Sequence, residues 1–323
     1  MIAIQIPPCN RSFVRVYYRK PLERRSKMEV KKFKKKWGDR KDGRRVRSLT
    51  AMSMVSPYIM VTRNTSSNFF RDTIEITEIE KYIREKRKEG LTGFGIMHVI
   101  IAAYVRAVSQ RPAINRFIAG QKIYARDEYI EMSLVVKKEM SPDSPDTCIK
   151  PILDAHDTAA DIYHKINALI EQNKATSELN NNFDNTAKLF SLIPGVLLKF
   201  AVWLLRLLDY FDLLPRKLTM ASPFHASFFI TSMGSLGIPP IYHHLYDFGN
   251  IPVFLAFGSK YRKNELNADG TVSEKKYVDI TAVTDERICD GFYYASAFKL
   301  MRTYLKNPSV LDEPVLGPVR DID

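Results

Sequence analysis

Cysteine is scarce in this sequence. The 323 residues contain three, Cys9, Cys148 and Cys289, which are far apart along the chain. A disulfide framework requires more cysteines, and a cysteine-ligated metal site requires them at close spacing. The sequence therefore predicts neither a disulfide scaffold nor a metal site, and it fits a reducing, cytoplasmic compartment.

A long apolar core is absent from the first 27 residues, which are interrupted by Pro7, Pro8 and Pro21. A secretory leader contains an uninterrupted apolar stretch before its cleavage site. The sequence therefore does not predict a signal peptide here, and a flexible extension is one interpretation of this segment.

An excess of either charge is absent after residue 47. Residues 1–47 hold 17 Lys and Arg against 4 Asp and Glu, a surplus that equals the formal net charge of +13 for the whole chain. A basic run of this kind is usually a solvated tail and sometimes contacts an anion or a membrane surface. Because the rest of the chain lacks a basic surface with interspersed aromatics, we do not expect nucleic-acid binding.

The 45% apolar content indicates a globular body with a sizeable core. Residues 58–61, 74–76 and 129–136 have the composition of strands, and residues 92–111 have the apolar spacing of a buried helix. Near the C-terminus, a strand pattern over residues 277–283 leads into a charged turn and then into a helix pattern. Such a turn presents polar groups at the edge of a sheet.

An unusually apolar stretch occupies residues 188–214, with Lys199 and Arg206 on one face of its expected helix. A membrane span needs about 20 apolar residues, and this helix is shorter and carries charge in its middle. Three alternatives remain open: a buried or subunit-interface helix, an interfacial helix in peripheral membrane contact, and a span. The protein is accordingly expected to be cytoplasmic or membrane-associated.

Three ordered blocks carry a family resemblance. Residues 286–292 read Glu-Arg-Ile-Cys-Asp-Gly-Phe, residues 226–234 form a serine-rich strand, and residues 250–258 form the strand that follows it. These blocks resemble the catalytic domain of 2-oxo acid dehydrogenase acyltransferases and chloramphenicol acetyltransferases. The resemblance implies an α/β (α+β) two-layer sandwich, in which helices cover a mixed sheet. Residues 188–214 depart from the family and would add an extra hydrophobic helical insert to this fold.

The resemblance also implies transfer of an acyl group from coenzyme A, performed between the subunits of a homotrimer. In this family a catalytic histidine stands four residues before the Asp-Gly pair, where this chain has Glu286. Ser227 takes the place of the hydroxyl residue that stabilises the tetrahedral intermediate. Asp290 would form an ion pair with an arginine near the domain start, for which Arg47 is one candidate beside Arg44 and Arg45, and Gly291 would permit the turn.

His243 and His244 lie between the serine strand and the next strand. The resemblance places this connection near the site, so one of them could supply the imidazole that is missing at Glu286. A surface pair in a loop is the commoner outcome. The acyl acceptor remains open, and the chain contains no lipoyl attachment domain.

We expect a basic N-terminal extension over residues 1–43 and an acyltransferase-like domain over residues 44–310, with the insert at residues 174–218 and a C-terminal tail at residues 311–323. Two functional hypotheses follow. One is a coenzyme-A-dependent acyltransferase with an altered active site, and the other is a catalytically inactive trimeric scaffold or binding protein of the same fold.

Overall fold

The computed structural model describes residues 36–127, 129–137, 146–175 and 193–323. Most of the predicted N-terminal extension and residues 176–192 of the predicted insert lie outside these ranges. The described residues belong to one compact unit, which begins at Lys35. Among them, no helix is long and apolar enough to cross a membrane.

The described strands are β1 Arg44–Arg45, β2 Ser67–Glu75, β3 Arg116–Ala119, β4 Lys122–Ala125, β5 Ile130–Lys137, β6 Asp146–Ile149, β7 Ile152–Leu153, β8 Phe228–Ser232, β9 Val253–Phe257, β10 Tyr261–Leu266 and β11 Val272–Asp285. Within the described ranges, the large sheet is mixed. Strand β8 pairs in parallel with β5 and with β9, whereas β11 pairs antiparallel with β2, β9 and β10. A separate small sheet has the order β1-β4-β3.

Helices cover one face of this sheet. The described helices are α1 Ala51–Ile59, α2 Thr77–Lys88, α3 Ile96–Gln110, α4 Ala159–Ala175, α5 Gly195–Tyr210, α6 Arg216–Ala221 and α7 Gly291–Lys306. Alternate residues of β11, including Val278, Ile280 and Ala282, join α3 and α7 in the main core. This arrangement confirms the predicted mixed sheet covered by helices.

The opposite face of the sheet carries a smaller apolar cluster, which includes Phe229, Phe254 and Val283. The loop between β8 and β9 covers this cluster with Leu245 and Ile251. The loop that contains the two predicted histidines is therefore part of a second, thinner layer.

The strand predicted at residues 58–61 is wrong, because residues 51–59 form helix α1. The Thr50 hydroxyl accepts a hydrogen bond from the Ser53 backbone N–H at 3.2 Å and caps the helix. A cap of this kind satisfies backbone groups at a helix start and fixes where the helix begins. In this segment the cap outweighs the β-propensity of its apolar residues.

Residues 311–323, the predicted C-terminal tail, contact the rest of the protein closely. Asp321 forms a buried ion pair with Arg116 at 2.6 Å, and the Asp323 carbonyl accepts hydrogen bonds from the backbone N–H groups of Arg47 and Ser48. Arg40, which precedes residue 44, pairs with Asp209 of α5 at 2.7 Å. Residues from both predicted flanking segments therefore contact residues 44–310.

Candidate functional site

The charged turn after β11 has one exposed and one buried carboxylate. The Glu286 side chain is exposed, while its backbone N–H donates to the Ser66 carbonyl at 2.9 Å. Within the described part of the chain, no hydrogen bond or ion pair involves the Glu286 carboxylate. The predicted catalytic carboxylate therefore points away from the body of this single chain.

Asp285, by contrast, is fully buried and paired. Arg287 donates to both of its carboxylate oxygens, from Nε at 2.8 Å and from Nη2 at 2.7 Å. A second guanidinium, that of Arg63, lies 3.9 Å away, and burial lowers the pKa of Arg63 to about 10 although Asp285 opposes that effect. Two-point pairing of this kind fixes the orientation of both groups. Asp285 and Arg287 are not predicted above as a buried pair, although an i, i+2 spacing at the end of a strand places both side chains on one side of it.

Arg287 also ties the turn to the segment after α1. Its Nη1 donates to the backbone carbonyls of Met60 at 3.0 Å and Val61 at 3.2 Å. The charged residues that flank Glu286 are thus occupied with holding the turn in place.

Asp290 has a different role from the one that the resemblance implies. Its carboxylate accepts a hydrogen bond from the Tyr293 backbone N–H at 2.8 Å, so it caps α7. The predicted ion pair between Asp290 and Arg47 is absent from the described residues, because Arg47 is paired with Asp39 at 2.8 Å. Arg44, a second candidate, is paired with Asp127 at 2.7 Å.

Gly291 begins α7, and a Cβ at this position would have no neighbour within 4 Å. The turn therefore does not require a glycine here on steric grounds. The Asp290 cap, rather than the freedom of the glycine, accounts for where the helix begins.

Ser227 lies in a row of residues that runs across one end of the sheet. Its N–H donates to the Glu131 carbonyl at 2.7 Å, and the Asp285 N–H donates to the carbonyl of Pro252 on the intervening strand. Two strand spacings of about 4.8 Å place Ser227 and Asp285 roughly 10 Å apart along this row. The fold thus brings the two predicted catalytic positions, Ser227 and Glu286, to the same end of the sheet.

The Ser227 side chain is 1% exposed, and its Oγ accepts a hydrogen bond from the Glu131 N–H at 3.0 Å. The hydroxyl can still donate its own hydrogen, since accepting a bond does not consume the donor. However, a substrate cannot approach a side chain that is covered in this way without a rearrangement of the residues above it.

His243 stacks on Phe254, with ring centroids 4.0 Å apart and an interplanar angle of 6°. Its Nδ1 lies 2.8 Å from the His244 carbonyl. A carbonyl only accepts hydrogen bonds, so Nδ1 carries a proton, and in the neutral form of the ring Nε2 keeps its lone pair. Burial lowers the pKa of His243, which favours this neutral form. His244 is exposed.

His243 and Ser227 share one face of the sheet. Phe254 stacks on Phe229 with centroids 4.7 Å apart, and Phe229 stands two residues after Ser227. Side chains two residues apart along a strand point to the same face. The imidazole of His243 is therefore on the side of the sheet that contains the serine.

A buried network of charged side chains, which is not among the predictions from the sequence, joins the insert to the rest of the protein. Arg40 bonds to Asp42 at 2.9 Å and to Asp209 of α5 at 2.7 Å. Arg216 of α6 pairs with the buried carboxylate of Glu131. The pairs Arg40–Asp209 and Arg216–Glu131 join residues far apart in sequence, and no local spacing marks them.

The described chain contains cavities of a size that could hold a small molecule, and one of about 310 Å³ is lined by Arg45 and Arg47. A cavity of about 340 Å³ opens between β2, β11 and α7, and its lining includes Phe70, Ile280 and Phe298. None of the predicted site residues lines this 340 Å³ cavity. The residues that the structure describes also contain no group of three or more His, Cys, Asp or Glu able to hold a metal ion.

Comparisons with known proteins found similarity at the level of structure only. No family model and no curated protein sequence matches the chain. The dihydrolipoamide acetyltransferase of Azotobacter vinelandii is 12% identical with a TM-score of 0.51, and the cubic core of the pyruvate dehydrogenase multienzyme complex is 13% identical with a TM-score of 0.50. Each match covers 81% of this chain and 88% of the other.

A chloramphenicol acetyltransferase also matches, at 12% identity over 78% of this chain and 94% of the other, but its TM-score of 0.43 is too low to carry an argument. At these identities the comparisons establish the fold alone. The chain has the fold of an acyltransferase catalytic core, as the sequence blocks predicted.

Proposed function

We propose that this chain, which has the fold of an acyltransferase core, is a scaffold or binding protein that does not catalyse acyl transfer. The observation that carries the proposal is the state of the two predicted catalytic side chains. Glu286 is exposed, and Ser227 is covered and bonded to the Glu131 backbone. Neither side chain is arranged to act on a bound substrate in the single chain.

The chemistry supports the same conclusion. Removal of a proton from an acceptor thiol or hydroxyl needs a base matched to neutral pH, and a histidine with a pKa near 6.5 is suited to this. A carboxylate becomes a useful base when it is enclosed in an apolar site. The described residues do not enclose Glu286. A carboxylate would also repel the phosphates of coenzyme A and an approaching thiolate.

One observation favours a second candidate, an altered acyltransferase that uses acyl-coenzyme A. Burial lowers the pKa of His243, its Nδ1 is held by the His244 carbonyl, and the ring lies on the same sheet face as Ser227. In this candidate, Nε2 of His243 would remove the acceptor's proton, and the Ser227 hydroxyl would stabilise the oxyanion if its cover opened. One such donor contributes about 3 kcal/mol to lowering the barrier.

Both candidates include a homotrimer, which we infer from the resemblance and from exposed apolar side chains outside the insert, such as Met52, Tyr58 and Ile59 of α1. Sedimentation at micromolar concentration is expected to show a trimer or a multiple of one. A lone monomer at that concentration would contradict both candidates.

The deciding experiment incubates the purified protein with a panel of acyl-coenzyme A thioesters and measures release of free thiol, with and without thiol and hydroxyl acceptors. The scaffold proposal expects release at the uncatalysed rate for the wild type and for Glu286→Gln alike. Steady turnover by the wild type that disappears in Glu286→Gln would overturn it in favour of a carboxylate base.

His243→Asn tests the second candidate in the same assay. The asparagine amide can still donate to the His244 carbonyl, but it lacks a basic nitrogen at the Nε2 position. Turnover that is present in the wild type, persists in Glu286→Gln and is lost in His243→Asn would identify His243 as the base. Wild-type turnover that survives both substitutions would contradict both assignments.

A further inference from the structure

Helix α5 of the insert exposes an apolar surface that the described chain does not cover. Of its 16 residues, the side chain of Asp209 alone is buried. Phe200 and Trp203 are each more than half exposed. From Val196 to Leu207, the large exposed apolar residues of α5 are Val196, Leu197, Phe200, Trp203, Leu204 and Leu207.

The exposed side chains occupy one side of the helix. With about 100° between successive residues, the six apolar side chains from Val196 to Leu207 fall within an arc of roughly 120°. Lys199 and Arg206 lie roughly 100–120° from the centre of that arc, on one flank. The partly buried residues, such as Leu198 and Leu205, face the body. The helix thus has an apolar outer face bordered by cations.

The attachment of α5 holds this face outward. Asp209 is fixed by Arg40, whose Nη1 and Nη2 bond to its carbonyl and its carboxylate. The Tyr210 backbone and ring lie against Gly120 in the turn between β3 and β4, so closely that a Cβ on that glycine would come within 2.8 Å of the Tyr210 carbonyl oxygen. These contacts position the C-terminal end of α5 rigidly, so its apolar face is presented rather than folded inward.

Charge distinguishes between a second copy and a membrane as the occupant. The exposed charges on the described insert are cations, Lys199, Arg206 and Lys217, while its carboxylates Asp209 and Asp212 face Arg40. A symmetric contact between two copies of this face would bring like charges together without carboxylates to neutralise them. Anionic lipid headgroups have the complementary charge.

We propose that α5 docks on an anionic membrane surface, lying in the plane of the interface with its apolar face in the acyl boundary and its cations at headgroup level. Interfacial helices have this combination of aromatic and aliphatic residues with flanking Lys and Arg. Stable anchoring generally needs two signals, and the surplus of 13 positive charges in residues 1–47 supplies a polybasic one. At about 1.5 Å per residue α5 is roughly 24 Å long, too short to span the hydrocarbon core.

The test uses the intrinsic fluorescence of Trp203. The chain has two tryptophans, and Trp37→Phe removes the other, which is 93% exposed. Vesicles of phosphatidylcholine with 30% phosphatidylserine are expected to shift Trp203 emission to the blue and to co-float with the protein, whereas pure phosphatidylcholine vesicles are expected to bind at least tenfold more weakly. Raising the salt concentration is expected to weaken binding to the anionic vesicles.

Two variants and a control localise the contact. Phe200→Glu and the double variant Lys199→Glu/Arg206→Glu are each expected to lower the partition coefficient at least tenfold. Leu266→Glu, at a 76% exposed position on the hairpin of β10 and β11, is expected to change it less than twofold. Unchanged melting temperatures would show that each variant is folded.

Absence of binding to anionic vesicles would overturn the proposal, and so would equal loss of binding in Leu266→Glu. A Trp203 blue shift that depends on protein concentration without lipid, and that Phe200→Glu removes, would assign the face to a second copy instead. None of these outcomes depends on whether the protein catalyses acyl transfer, so the two proposals can fail separately.

Discussion

Helices α3 and α5 have nearly the same length and are both apolar almost all round, yet the structure treats them in opposite ways. Twelve of the 15 residues of α3 are buried, including its arginine at 106 and its serine at 109. In α5 the aromatic and aliphatic residues are largely exposed, and a carboxylate is the buried side chain. One helix is held by apolar packing and the other by charge.

The difference shows that an apolar composition indicates that a helix is buried, but it does not identify the surface that contacts the helix. For α3 the partner is the protein itself, since Tyr104 packs on Phe228 of the sheet with ring centroids 4.5 Å apart. For α5 the described residues supply no such partner for the outer face. Its apolar surface is therefore available for an interaction outside this chain.

The largest expected difference in the free energy of unfolding comes from placing a carboxylate in the middle of each helix, at Ile101 of α3 and at Phe200 of α5. Ile101 is fully buried, and Ile101→Glu would bury a charge without a partner, at a cost of more than about 4 kcal/mol. Phe200→Glu in α5 is expected to change the free energy of unfolding by less than about 0.5 kcal/mol, because the side chain remains in water. Chemical denaturation of both variants measures the contrast, and similar losses in the two would show that α5 is buried in solution.

The attachment of α5 by charge predicts a sizeable effect of Asp209→Asn. Burial opposes ionisation of Asp209, but His225 and Arg40 outweigh it and lower its pKa to about 2. Removing one partner from a buried pair is strongly destabilising, and since Arg40 keeps Asp42 we expect a loss of about 3 kcal/mol.

Asp212→Asn is the matched control for Asp209→Asn. Asp212 is more exposed and lies 3.7 Å from Arg40, so its contribution should be less than about 1 kcal/mol. Equal effects of the two substitutions in urea denaturation would contradict the assignment of Asp209 as the anchor.

Helix α3 contains a buried histidine that makes its packing sensitive to pH. Burial lowers the pKa of His98 to about 4, below the value near 6.5 expected in the unfolded chain. The unfolded state therefore takes up the proton first as pH falls, so the full stability is present above pH 6.5 and is lost progressively toward pH 4. This difference predicts a loss of roughly 2 kcal/mol between pH 7.5 and pH 5.

His98→Asn keeps an acceptor for the Gly95 N–H, which donates to Nδ1 at 3.1 Å in the wild type. This variant is expected to have a flatter stability profile over the same interval in urea titrations at each pH. An identical slope in the variant would assign the acid sensitivity to other groups.

The smallest expected effect concerns the cap of α7, whose buried face packs in the same core as α3. Asp290→Ala removes the acceptor of the Tyr293 N–H and should destabilise by about 1 kcal/mol. Asp290→Asn, which keeps a capping oxygen, should restore most of the loss in thermal denaturation. A loss of 3 kcal/mol or more in Asp290→Ala would instead point to a buried ion pair.

Alternation and helical spacing in the sequence predict individual strands and helices near the C-terminus. The strand over residues 277–283, the turn after it and the helix from Gly291 follow from alternation and helical spacing, and the structure has them in that order. The partner of Arg47 could not be read in this way. Asp39 and Asp290 are both aspartates, and only the three-dimensional distance selects the first.

Whether the side chains of the candidate site are enclosed or exposed likewise could not be predicted from the sequence. Glu286 was correctly placed beside a strand end, but whether it is enclosed depends on what packs above it. The exposure of α5 has the same origin, since a helical pattern states which side chains share a face and not which surface that face meets.

The ion pair between Arg116 and Asp321 has a consequence for the order of folding. Its two residues are 205 positions apart in sequence, and Asp321 stands near the end of the described chain. During synthesis the residues of β3 emerge long before their acidic partner, so the guanidinium of Arg116 has no access to that carboxylate until translation has passed residue 321. The small sheet β1-β4-β3 is therefore expected to reach its final stability only after residue 321 has emerged from the ribosome, and a nascent chain that lacks residue 321 should show weak amide protection in β3.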